Sequence, residues 1–136
     1  MKNKYLLSLL WVIVSGFGIL MAQEIAIIPQ PAHLIVKNES FKFGKQLKVC
    51  IASYRGDSVT LVFDSFKDDF QKATGIKVTS VRSEAKAGIV LSVNQTLAPE
   101  AYKLDVSPKQ IRIEAARPAG FYYALQTLKQ LISRHV

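Results

Sequence analysis

The sequence holds one cysteine and two histidines, and each scarcity closes off a class of chemistry. A lone thiol, Cys50, rules out an internal disulfide; in the strand-like run LKVCIA it reads as a small buried apolar residue. Metal sites draw on clustered His, Cys, Asp or Glu at fixed spacing. His33 and His135 stand far apart, no HExxH or CxxC occurs, and no metal or other cofactor is expected. Nucleophilic catalysis by a serine or cysteine needs a base beside it; His33, at a strand entrance, and His135, near the last residue, both read as surface histidines. There is no G-x-S-x-G turn and no Gly-rich phosphate loop. The formal net charge is +8, yet the basic residues are scattered and no run of five like charges forms, so nucleic acid is not an expected partner. Low-complexity tracts and internal repeats are absent, and 49% of the residues are hydrophobic, the composition of a folded domain.

The first 22 residues follow other rules. Lys2 and Lys4 precede the uncharged, largely apolar run YLLSLLWVIVSGFGILMA, the layout of a secretory signal peptide with Ala22 before the cut. Residues 1–22 are therefore expected to be a leader and residues 23–136 the working domain, exported to the periplasm, the medium or the cell surface of a bacterium. The run of 18 residues is just long enough to cross a bilayer, so membrane contact is expected only if the leader stays uncleaved.

Beyond the leader, Pro29-Gln30-Pro31 punctuates the chain, and HLIVKN and SFKF read as two short strands, followed by QLKVCIA. Asp57 or Ser58 caps a helix through residue 74, with Val59, Val62, Phe63, Phe66, Phe70 and Ala73 on one stripe and Gly75 as its stop. IKVTSV and GIVLSV follow as strands. AYKLDV and QIRIEA alternate strictly around Ser107-Pro108-Lys109 and read as a hairpin. A last helix over about 120–134 carries Phe121, Ala124, Leu125, Leu128, Leu131 and Ile132 on its apolar side. The short connections after the first helix suggest antiparallel neighbours. The expected fold is α+β: a mainly antiparallel sheet with two amphipathic helices packed on one face.

Asp64, Asp68 and Asp69 are the nearest thing to a carboxylate pair of the kind that cleaves glycosidic bonds. They interleave with Lys67 and Lys72 on the polar side of the first helix and read as a solvated, partly paired surface. No residue of the chain is assigned a catalytic role.

Three apolar side chains do not fit a single core. Leu61 falls opposite the stripe of the first helix. In the last helix Tyr122 sits at the margin, and Tyr123 lies with Gln126 and Gln130 on the polar side.

The segment PEAYKLDVSPKQIRIEAARPAGFYYALQTLKQLI resembles a known pattern, carried by Glu100-Ala101-Tyr102, Leu104 and Val106, Ile111-Arg112-Ile113 and Ala115, Gly120-Phe121-Tyr122, Gln126-Thr127-Leu128 and Gln130-Leu131. It is similar to the N-terminal accessory domain of the β-N-acetylhexosaminidases, glycoside hydrolase family 20, whose opening also resembles IIPQPAHL at residues 27–34. The resemblance implies a zincin-like α+β accessory domain whose helices pack against a catalytic (β/α)8 barrel. It also implies that Tyr122, Tyr123 and Leu61 are domain-interface residues. In that family an Asp-Glu pair on the barrel cleaves terminal β-linked N-acetylhexosamines: the Glu protonates the leaving oxygen and the Asp orients the substrate's acetamido group. This sequence has no Asp-Glu dipeptide, so no catalytic residue carries over. The chain is expected to be a fragment of such an enzyme or a free-standing relative. Two further readings stand beside it. FKDDFQKATGIKVTSV is similar to a helix–strand element in lobes of periplasmic solute-binding proteins, and a stand-alone exported interaction module would also use exposed aromatics.

Overall fold

The computed structural model describes residues 27–52 and 57–132. Residues 1–26, which include the leader, residues 53–56 (SYRG) and the last four residues, His135 among them, lie outside the described residues. Five strands and two helices follow one another: β1 (Gln46–Ala52), α1 (Asp57–Thr74), β2 (Lys77–Ser80), β3 (Ile89–Val93), β4 (Tyr102–Val106), β5 (Ile111–Ala115) and α2 (Pro118–Ile132). A single 3-10 turn, Glu84–Lys86, interrupts the link between β2 and β3.

Both helices lie on the same face of the sheet. Leu47 and Val49, Ile89 and Leu91, and Ile111, Ile113 and Ala115 point to that face in period two. They meet Val59, Phe63, Phe66 and Phe70 of α1 and Phe121, Ala124, Leu125 and Leu128 of α2. The α1 rings form a ladder, with centroids 6.4 Å apart for Phe63–Phe66 and 5.7 Å for Phe66–Phe70. Each side chain of this size contributes roughly 1.5–3 kcal/mol on burial, so the two stripes hold the helices to the sheet. Ala73, assigned to the α1 stripe by spacing, is exposed near the C-terminal end of α1.

The α1 stop is built as its sequence suggests. Gly75 adopts φ 70°, and its N–H donates to the Gln71 carbonyl at 2.9 Å. The Gln71 side chain then accepts the Val78 N–H at 2.7 Å, fixing the start of β2.

The α+β class and the two-helix layer stand, but the strand directions differ from the expectation of a mainly antiparallel sheet. The order is β2-β1-β3-β5-β4, and only the β4–β5 hairpin is antiparallel. β1–β2, β1–β3 and β3–β5 are parallel. The reason lies at Val49, which pairs with Ser80 at the end of β2 and with Ile89 at the start of β3. β2 lies along the first half of β1 on one side, and β3 along the second half on the other. A parallel neighbour normally needs a long return crossover. Here the end of β2 and the start of β3 are already level, so a short link crosses β1 without retracing its length. Val81 N–H bonds to Val49 O and Gly88 N–H to Lys48 O, both at 2.8 Å, as the link passes. It covers the second sheet face with a small cluster of Cys50, Ala87 and Val90.

A second correction concerns the start of the domain. HLIVKN and SFKF form no strands; residues 27–45 have no regular secondary structure. They make a strap with a cis Ile28–Pro29 peptide. Gln130 of α2 holds one end, accepting the Ile28 N–H at 2.9 Å and donating to the Ile28 carbonyl at 2.8 Å. Lys37 pairs with Asp105 of β4 at 3.2 Å. Phe43 packs on Phe70, centroids 5.4 Å apart, with Phe41 edge-on to it at 5.1 Å. The two phenylalanines reach core atoms individually, without a ladder of backbone bonds.

Candidate interface on the outer helix face

β1 and β5 both run parallel to β3, and each feeds a helix that returns over the same face, so α1 and α2 run in the same direction. Lys129 Nζ joins Asp69 Oδ2 at 2.6 Å across them, fixing their alignment near the C-terminal ends. The Lys129 ammonium, as hydrogen-bond donor and as charge, holds the Asp69 carboxyl below its ordinary range, with Lys72 adding to the effect.

Spacing left Leu61, Tyr122 and Tyr123 outside the core, and all three are exposed: 69%, 48% and 42% of their surface meets solvent. The two tyrosine rings contact each other edge to face with centroids 5.6 Å apart. Their neighbours Phe121, Ala124 and Leu125 are fully buried against the sheet. Periodicity separates these faces cleanly, because three adjacent residues of a helix span about 200° of its circumference. The outer face thus carries an aromatic pair and a leucine where a helix facing only water would be polar.

Between the last turns of the helices lies a groove of about 440 Å³, lined by Phe70, Ala73, Gln126, Ile132 and the Asp69–Lys129 pair. Its walls are mostly apolar. Of the acidic residues weighed for glycosidic chemistry, Asp64 and Asp68 are exposed on α1, and Asp69 is occupied by Lys129. Among the described residues no three His, Cys, Asp or Glu side chains gather where a metal would bind, and no helix is long and apolar enough to cross a membrane. His33 is exposed on the strap. The outer face therefore has means to bury area against a second surface.

Sequence reasoning missed the strap's contribution. Leu34, Ile35 and Val36 are exposed, as is Ile28. A strand assignment for HLIVKN predicts alternate burial, and only the missing pairing partner, which no local pattern reports, removes it.

Comparison with known proteins gives these surfaces a setting. The family model described as glycosyl hydrolase family 20, domain 2, matches residues 24–136. A beta-hexosaminidase of Vibrio furnissii is 28% identical over 111 residues, covering 82% of this chain and 17% of that protein. A family 20 exo-β-N-acetylglucosaminidase of Vibrio harveyi, solved with N-acetylglucosamine, superposes with a TM-score of 0.66 at 34% identity, over 76% of this chain and 15% of that one. A chitobiase of Flavobacterium johnsoniae gives a TM-score of 0.64 at 26% identity, over 76% of this chain and 17% of that one. The chain thus spans about a sixth of the length of these relatives. The solute-binding-lobe reading gains no support from these matches. With the family model matching all the described residues and the fold shared with solved members, this chain belongs to glycosyl hydrolase family 20, as its domain 2.

Proposed function

We propose that this chain is the non-catalytic N-terminal domain of an exported β-N-acetylhexosaminidase, and that its outer helix face docks on the catalytic (β/α)8 barrel of the same enzyme. The barrel removes terminal β-linked N-acetylhexosamine residues; the accessory domain covers part of its flank. One observation carries the reading: Leu61, Tyr122 and Tyr123 stand bare on helices whose opposite sides are already saturated by the sheet. Tyrosine suits such a contact, since its ring buries a large area while its hydroxyl keeps a polar partner at the rim. The length of the relatives supports a second domain in the same polypeptide, because this fold accounts for only 15–17% of each solved one. Export rests on the charged, then apolar, pattern of residues 1–22.

The purified 136-residue chain is expected to show no turnover of an aryl β-N-acetylglucosaminide, while a polypeptide in which it precedes a family 20 barrel turns the substrate over. Hydrolysis by the pure chain overturns the proposal.

A further inference from the structure

The strap offers a second surface. It is fixed at Ile28 by the two hydrogen bonds from Gln130, at Lys37 by Asp105, and at Phe43 by Phe70. Between the first two anchors Leu34, Ile35 and Val36 follow one another, all exposed, Ile35 at 83%. Among the described residues no hydrogen bond reaches the backbone of these three. Three consecutive residues with branched apolar side chains, an extended-prone composition and unmatched N–H and C=O groups are what a strand looks like before it meets its neighbour.

We propose that Leu34–Val36 is a docking strand that pairs, through its backbone, with an extended segment of the catalytic part of the same enzyme. The inference rests on the reading of the chain as one domain of a longer hexosaminidase. Size selects this occupant over a separate protein. A stable complex between independent chains buries about 800 Å² on each partner, far more than three side chains offer. A tethered partner needs no such area, because the linking polypeptide holds it at high effective concentration. The clamp on Ile28 reinforces the point. Gln130 sits in the last turn of α2, so the C-terminal end of that helix lies beside the strap. Main-chain pairing supplies affinity in such additions, and the alternating side chains supply fit.

The test compares amide hydrogen exchange in the 136-residue chain and in the full-length enzyme that contains it. The amides of residues 34–36 are expected to exchange at least tenfold more slowly in the full-length enzyme, and Ile35→Pro, which removes the residue 35 amide, is expected to return those of residues 34 and 36 to the rate of the chain alone. Since Ile35 is exposed, that variant leaves the melting temperature of the isolated chain unchanged. Equal exchange in both proteins overturns the inference, as does slow exchange in the isolated chain that deepens with concentration, which marks pairing between copies. Amides flanking Tyr122 and Tyr123 serve as the internal control. Protection there without protection at the strap removes this inference alone, whereas protection at neither removes the docking reading as well.

Discussion

The hydroxyls of Tyr102 and Thr127 lie 2.7 Å apart, joining the edge strand β4 to α2. Thr127 is the one buried polar residue among those described, and no buried polar side-chain atom there lacks a partner. Removing one hydroxyl leaves the other short of a partner, whereas removing both removes the demand. Tyr102→Phe and Thr127→Val are each expected to cost about 1 kcal/mol. The double variant is expected to cost less than the two losses added together, because the residues touch. Urea denaturation of the four proteins measures this; strict additivity contradicts it.

At Gly120 α2 passes tightly against the rest of the domain. A Cβ there lies 2.5 Å from the Ala101 carbonyl oxygen and 2.9 Å from the Ala115 Cβ. Neither obstacle is the free end of a flexible side chain, so the helix start has to move. Gly120→Ala is expected to destabilise by about 1–3 kcal/mol, the usual cost of overpacking, although alanine is the better helix former. At Gly75 the constraint is conformational: space is open, but φ is 70°. Gly75→Ala is expected to cost about 1 kcal/mol and Gly75→Asn less, since asparagine visits this region more readily. Thermal unfolding separates the two cases.

Asp69 predicts an acid dependence. Its carboxyl is held below the ordinary range by Lys129. A lowered folded-state pKa contributes stability that is complete above the unfolded value, near pH 4, and is lost as pH falls through the folded value. Both partners are well exposed, so salt screens the pair. The melting temperature of the wild type is expected to fall more steeply below about pH 4 than that of Asp69→Asn, and the gap is expected to narrow at high ionic strength. Parallel acid limbs at low salt exclude a role for the pair.

Cys50 is sealed between β1, β3 and the link over the second sheet face, 3% exposed. Burial pushes its thiol up, and the Glu84 carboxylate adds to that by disfavouring the thiolate. Alkylation by iodoacetamide at pH 8 is expected to be slow in the folded chain and rapid in denaturant, with intact mass as the readout. Fast labelling of the native chain means the link over β1 opens readily.

Element spans were legible to within a residue or two where burial and period agree. QLKVCIA, the β4–β5 hairpin and both helices stand where their patterns put them. Strand direction was not legible, because connection length was a poor guide once β2 and β3 occupied different halves of β1. Local pattern also could not show that HLIVKN lacks a neighbour, or that Gln130 would grip the backbone of Ile28 from 102 residues away. The exposure of Leu61, Tyr122 and Tyr123 was legible because a helix has a fixed angular step, so a side chain that cannot reach the core declares itself.

Those three residues give the sharpest test of the docking surface, because folding and docking make opposite demands of them. Exposed substitutions away from special contacts change stability by about 0.5 kcal/mol or less. The combined variant Leu61→Ser, Tyr122→Ser, Tyr123→Ser is therefore expected to leave the melting temperature of the isolated chain almost unchanged, losing only the edge contact between the two rings. On the docking proposal, the same changes in the full-length enzyme strip apolar area from a buried contact, where each large side chain is worth roughly 1.5–3 kcal/mol. The accessory domain is then expected to unfold earlier and to become sensitive to protease while the barrel keeps its activity at low temperature. Calorimetry of both proteins, with proteolysis at 25 °C, decides the matter. An equal effect on the isolated chain and the full-length enzyme means that Leu61 and the tyrosines serve the fold of this domain rather than a neighbour.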